Sequence, residues 1–293
     1  MTHLLALQLV PSRIFRIDTS TGQTEVLVED AGPFPDGIVV LDGTVYWTTM
    51  GEPAGDFSLA DETGLDFSRS NGGLHAIGLD GTEFRDLVPD GSLTTGKQLT
   101  GHGPRLYWSD REGCRVTRCR TDGTKLADLV SKEPGDQLDE CVGVAVDEQR
   151  GWIYWTQKGP SKGGLGRILR APLNPTDGRA DLPDVETLWE DLPEPIDIEL
   201  SDGYIYWTDR GAGPEGNTLN RGAIPEPAKK GEEPEILAQG FQEAIGLAVD
   251  VERETVFVSD LSGAIRVVPL PGSSGEEGIL AAFEGPMTGL AMC

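Results

Sequence analysis

One four-residue stretch, Tyr206-Trp207-Thr208-Asp209, constrains this chain more than any other, because versions of it recur. Tyr107-Trp108-Ser109-Asp110 is nearly the same. Tyr154-Trp155-Thr156-Gln157 and Tyr46-Trp47-Thr48-Thr49 keep three of the four letters, and Phe257-Val258-Ser259-Asp260 is a worn copy. The copies begin at 46, 107, 154, 206 and 257, a period of roughly 50 residues. Their aromatic and β-branched cores suit strands, and Gly or Asp-Gly turn signals bound each copy. A strand pattern repeated at this period predicts an all-β chain built as a propeller.

Each repeat reads as four strands, a (innermost) to d (outermost), with the recurring tetrad on b. Residues 3–10, 13–18 and 24–29 supply b, c and d of a first blade, whose a strand is Met287-Thr288-Gly289-Leu290-Ala291-Met292. The expected fold is therefore a six-bladed β-propeller closed by one C-terminal plus three N-terminal strands. Such closure removes the open sheet edges that invite pairing with other chains. Blade two runs from about Asp36 to Pro89, blade three from Lys97 to Val130 and blade four from Glu140 to Trp189. Blades five and six occupy 195–238 and 243–283. No linker separates these units, so residues 1–293 read as one domain. The turns Asp42-Gly43, Asp80-Gly81, Asp122-Gly123 and Asp202-Gly203 fall between predicted strands, where tight hairpins need residues tolerant of positive φ.

The composite pattern resembles the YWTD propellers, known from the class B repeats of low-density lipoprotein receptors. It is more similar to stand-alone fungal YWTD proteins. The segments that carry this likeness are 96–99 (Gly96-Lys97-Gln98-Leu99), 107–113, 141–147, 154–160, 164–170 and 194–199. The resemblance implies six blades. Some members of that group resemble the hetero-Diels–Alderases of fungal tropolonic-sesquiterpene biosynthesis, which implies a cofactor-free cyclase of secondary metabolism.

With 49 acidic and 24 basic residues the formal charge is −25. A field of that sign repels phosphate backbones and anionic lipid headgroups, so neither nucleic acid nor a membrane is an expected partner. Cys114, Cys119, Cys141 and Cys293 form neither a disulfide framework nor a zinc pattern. Cys114 and Cys119 lie five apart on one predicted strand and should face opposite ways. Unpaired thiols, no basic signal-like start and no transmembrane-length apolar run point to the cytoplasm.

Function is expected in the loops. The long extras Gly51–Gly73, Lys158–Gly166 and Arg210–Thr218 are all b–c connections, and these open on one face of the ring. At that mouth begin the a strands, at Asp36, Lys97-Gln98, Glu140, Asp197, Glu243 and Thr288. Lys97, Gln98 and Asp36 are the candidate catalytic groups, able to hold and polarise an electron-poor diene. Glu140, Asp197 and Glu243 are candidate substrate-binding groups, with Arg111, Lys158 and Arg210, each of which follows the tetrad. Phe57 and Phe67, with Leu59 and Leu65, supply an apolar cover for a terpene-like or polyketide-like small molecule. Several oxygen ligands would suit a hard cation, but Lys97 in the same ring opposes one, so no metal and no cofactor are expected. His3, His75 and His102 offer no nucleophile–base pair at the mouth. Two other readings stand beside the cyclase: a non-catalytic propeller that binds a protein or ligand, and a metal-dependent, lactonase-like hydrolase. The recurring Trp47, Trp108, Trp155 and Trp207 are expected to pack between blades.

Overall fold

The computed structural model describes residues 3–55, 65–173 and 184–293. It contains six antiparallel four-stranded sheets, and the inner strands neighbour one another in a closed cycle. Those inner strands are Met287–Met292, Pro35–Leu41, Gly96–His102, Cys141–Asp147, Pro195–Ser201 and Ala244–Asp250, for blades 1 to 6 in turn. Blade 1 joins the C-terminal strand to His3–Gln8, Arg13–Asp18 and Thr24–Val28, as the sequence pattern requires. The expected six-bladed architecture and its mode of closure are those observed.

The tetrad explains why this sequence closes a ring, since each of its letters has a separate task. Alternation along a strand turns the first and second positions to opposite faces of the sheet. The first position of one blade then packs with the second position of the next. Tyr46 shares a buried cluster with Trp108, Tyr107 with Trp155 and Tyr154 with Trp207. The worn copies keep the same register: Leu5 with Trp47, Tyr206 with Val258, and Phe257 with Ala6. All four tetrad tryptophans are 0–1% exposed, so each contributes most of a full aromatic burial to an interface between sheets.

The third position is a hydroxyl that ties neighbouring inner strands together. Thr208 accepts the Asp197 N–H at 3.1 Å and donates to the Ile245 carbonyl of the next blade at 2.5 Å. Thr156 does the same between Gly143 N–H and the Ile196 carbonyl, and Thr48 between Gly37 N–H and the Lys97 carbonyl. The strands approach so closely that a Cβ on Gly37 would meet the Lys97 carbonyl oxygen at 2.5 Å, and one on Gly289 would lie closer still to the Asp36 carbonyl oxygen. In blade 1 the third position is Leu7, which has no hydroxyl. Thr288, on the adjoining inner strand, donates to the Pro35 carbonyl at 2.9 Å instead.

The fourth position anchors the loops at the mouth. Asp110 accepts from Thr95 N–H and Gly113 N–H, Asp209 from Glu194 N–H and Gly211 N–H, and Asp260 from Gln242 N–H and Ser262 N–H. One carboxylate thereby pins the d–a connection to the b–c loop of its own blade.

One local expectation differs. Cys114 does not lie on the strand with Cys119, which is Arg115–Arg120; it ends the preceding turn at φ 49°. The short loop Arg111–Cys114 needs a left-handed residue to reverse direction, and the thiol there is buried. All four cysteines are free, and burial pushes the Cys114 thiol up to about 11 and Cys119 to about 12. Among the described residues no helix is long and apolar enough to cross a membrane.

Candidate functional site

A cavity of about 290 Å³ opens where the b–c and d–a loops converge, at the small end of the range for ligand pockets. Its floor includes the second residues of four inner strands, Asp36, Lys97, Ile245 and Thr288. Val142 and Ile196, the second residues of the other two inner strands, cluster with Ile245 and Leu261.

The wall has an order that follows from the repeat. The residue immediately after the tetrad lines the cavity in every blade: Leu9, Met50, Arg111, Lys158, Arg210 and Leu261. In five of these the backbone N–H donates to a d–a connection: Leu9 to Pro286, Met50 to Phe34, Arg111 to Thr95, Arg210 to Glu194, and Leu261 to Gln242 and Glu243. The five positions share one backbone contact, Lys158 holds the same place after its own tetrad, and the chemistry of the six divides the ring in half. Blades 6, 1 and 2 present Leu261, Leu9 and Met50, whereas blades 3, 4 and 5 present Arg111, Lys158 and Arg210. Phe34, Phe67 and Leu65 extend the apolar half, clustering with Leu9 and Met50. Phe34 meets Phe67 edge-on at 5.5 Å between ring centres and holds a left-handed backbone of φ 55°, uncommon for so bulky a residue.

Every cation of the other half has a carboxylate. Arg111 pairs with Glu112 at 2.6 Å, Lys158 with Glu140 at 3.0 Å and Arg210 with Glu194 at 2.9 Å. Burial works to lower the Arg111 pKa, but Glu112 and the nearby Glu140 and Asp36 more than offset it and leave it raised. The Arg111 guanidinium also lies 5.5 Å from the Phe67 ring centre, within reach of a cation–π attraction.

Lys97 is the group with most chemical potential. Its ammonium donates to Asp36 Oδ2 and to Met50 Sδ, which uses two of three donors. It is 6% exposed, and burial lowers its pKa despite the Asp36 charge; Arg111 pushes the same way. An ammonium whose proton is loosened in this manner is a stronger hydrogen-bond donor. The second Asp36 oxygen accepts from Gln98 Nε2 at 3.0 Å, which fixes the carboxylate that orients Lys97.

Seven of the eleven sequence candidates line this one cavity: Asp36, Lys97, Arg111, Glu140, Lys158, Arg210 and Phe67. Gln98 and Asp197 do not. They are third residues of their inner strands, and alternation turns them into a second cavity of about 310 Å³ along the central channel. There Asp197 accepts the Ile198 and Leu247 N–H groups, while burial pushes its pKa up to about 7. Glu243 sits at the rim, paired with Lys162 at 2.8 Å. Phe57 and Leu59 fall outside the described residues. Phe34, Leu9, Met50, Leu261 and Glu112 were absent from the sequence candidates. Reading the post-tetrad position in all six blades, rather than in three, finds three of them.

His75 bridges Asp86, at 2.8 Å, and Thr49 Oγ1, at 3.2 Å, in the order of a nucleophile, base and acid. Thr49 is fully buried and accepts the Gly73 N–H, so this chain of contacts is structural. Among the described residues no group of three or more His, Cys, Asp or Glu side chains is arranged to hold a metal ion.

Six sheets whose junctions follow one tetrad register, three of them by Tyr-to-Trp packing, define a YWTD-type β-propeller. No family model matches the chain. The low-density lipoprotein receptor-related protein 1 of Pyricularia oryzae is 37% identical over 300 residues, covering 96% of this chain and 92% of that protein. The 3-hydroxyacyl-CoA dehydrogenase-like protein LAM1 of Cochliobolus heterostrophus is 37% identical over 263 residues, 82% of this chain; the alignment spans 52% of LAM1's length. Among solved structures, a chain of the nidogen/laminin complex superposes with a TM-score of 0.73 at 18% identity, covering 100% of this chain and 98% of that one. The chain belongs to the YWTD propeller family, together with the Pyricularia protein.

Proposed function

We propose that the mouth cavity binds organic molecules and couples them by cofactor-free hetero-Diels–Alder cycloaddition, in the manner of a natural-product cyclase. The observation that carries this reading is Lys97, a buried, proton-loosened ammonium held by Asp36 at the floor of a cavity with an apolar wall. In the reaction an oxygen-terminated diene and an olefin form one C–C and one C–O bond, three π bonds become one, and nothing leaves. No proton is transferred, so no general base or redox partner is needed. Lys97 serves by hydrogen-bonding the diene oxygen, drawing electron density from the diene and stabilising charge as it builds there. Confinement of two reactants supplies the rest, at best roughly 7–11 kcal/mol. Asp36 acts through Lys97, and Gln98 acts through Asp36. The partners are thus small molecules. The four free cysteines support a cytoplasmic setting.

The test is incubation with a tropolone o-quinone methide precursor and a humulene-type olefin. Adduct should form faster than in buffer, saturably in both components, and Lys97→Met should lower the rate about tenfold to a hundredfold. Adduct formation no faster than in buffer would sink the reading.

A further inference from the structure

The mouth ring is divided, and the division assigns places to the parts of a ligand. The six post-tetrad positions carry three apolar residues side by side and three cations side by side. Resting on the proposed role of this cavity, we infer that the ring orients its ligand. The hydrocarbon end lies against Leu261, Leu9 and Met50, and an uncharged, carbonyl-bearing end lies against Arg111 and Lys158.

That the oxygenated end is uncharged follows from the pairing. Glu112, Glu140 and Glu194 each neutralise one cation of the ring. Lys158 gives one N–H to Glu140 and one to the Gly159 carbonyl at 2.9 Å, so one of its three donors remains. Arg111 binds Glu112 through Nε and Nη2, which leaves Nη1 for a ligand. This half of the wall accordingly offers aimed donors without net positive charge. A ketone, quinone methide or enol oxygen gains those hydrogen bonds. A carboxylate or phosphate gains them too, but must approach Glu112 and Glu140 at close range inside a chain of charge −25. Leu261, Leu9 and Met50 themselves offer no hydrogen bond, so a polar end placed there has at most the remaining Lys97 donor beside Met50 in place of the two from Arg111 and Lys158, and a buried polar group short of partners is costly. One orientation is therefore favoured over its reverse.

Three matched naphthalenes test this: 2-ethylnaphthalene, 2-acetylnaphthalene and 2-naphthoate, each titrated into the intact protein and followed by ligand fluorescence. The ketone should bind about tenfold or more tighter than the hydrocarbon, and the naphthoate no tighter than the ketone. Lys158→Met and Arg111→Met should each remove most of the ketone's advantage and leave the hydrocarbon's affinity within about twofold. Leu261→Asn should weaken all three ligands. Melting curves identify any variant that has lost its fold, and Leu261→Asn, which removes no member of an ion pair, keeps the test open if a cation variant has. Equal affinity for ketone and hydrocarbon, or a naphthoate bound more than about tenfold tighter than the ketone, overturns the orientation while the cavity remains a ligand site. If none of the three binds up to its solubility limit, both the orientation and the cavity's proposed role fall.

Discussion

The Lys97–Asp36 pair gives the sharpest way to separate structure from chemistry at this site. Lys97→Met keeps the bulk of the side chain and removes its charge. Asp36, 1% exposed, would then retain only the Gln98 amide as a donor, at 3.0 Å. Removing one partner of a buried ion pair costs about 3–5 kcal/mol, because the other charge stays buried and uncompensated. For a chain of this size the unfolding entropy is about 0.6 kcal/mol per degree, so the melting temperature should fall by roughly 5–8 °C. The double variant Lys97→Met/Asp36→Asn removes the stranded charge, while the neutral amide that replaces the carboxylate can still accept from Gln98. Most of the lost stability should return, but the cycloaddition rate should stay down about tenfold to a hundredfold, since the donor is still missing. Thermal unfolding by calorimetry and initial rates of adduct formation read the two effects separately. A single variant that loses less than about 1 kcal/mol, or a double variant no more stable than the single, would refute the placement of a charged Asp36 in the floor.

Thr208→Val is nearly isosteric and strands two buried backbone groups, Asp197 N–H and the Ile245 carbonyl. It should cost about 2–5 kcal/mol in urea unfolding, and a loss below about 0.5 would dispose of the hydroxyl tie. Burial raises the Asp197 carboxyl from 3.8 to about 7. The folded chain thus keeps a proton that the unfolded chain releases, so this group's contribution is fully present below about pH 4, declines as pH rises towards 7, and is flat above. The decline is at most about 4 kcal/mol. Asp197→Asn should flatten the dependence of the urea midpoint on pH between 5 and 8, and an unchanged slope would argue against a protonated Asp197. Because ring carboxylates Asp36, Glu140 and Glu194 are each paired with a cationic side chain, EDTA should leave the melting temperature unchanged. A drop restored by calcium would favour the metal-dependent hydrolase.

The ring was legible because its tetrad is local and repeated: Tyr, Trp, Thr and Asp each make the same contact in blade after blade. The three long b–c loops were equally legible, since the strands flanking them match in register. Direction within the inner strands was harder to read. Asp36 and Lys97 are second residues and face the mouth, whereas Gln98 and Asp197 are third residues and face the channel. The residue from which that alternation is counted is not marked in the sequence, because bulges interrupt the inner-strand pairing there, for example between Pro35 and Ile38 and between Gly96 and Leu99. The apolar half of the ring was hidden for another reason. Leu9, Met50 and Leu261 look like ordinary core residues, and only their register with Arg111, Lys158 and Arg210 marks them as cavity wall. Phe34 reaches the cavity through a backbone conformation that no sequence pattern announces.

The most direct measurement of the central proposal is the enantiomeric excess of the cycloadduct. A divided, chiral ring that fixes both reactants should yield one enantiomer in large excess, with the excess declining in Lys158→Met and Leu261→Asn. Racemic adduct, formed in the same yield with and without the protein, would contradict the proposal that this mouth orients reactants for coupling.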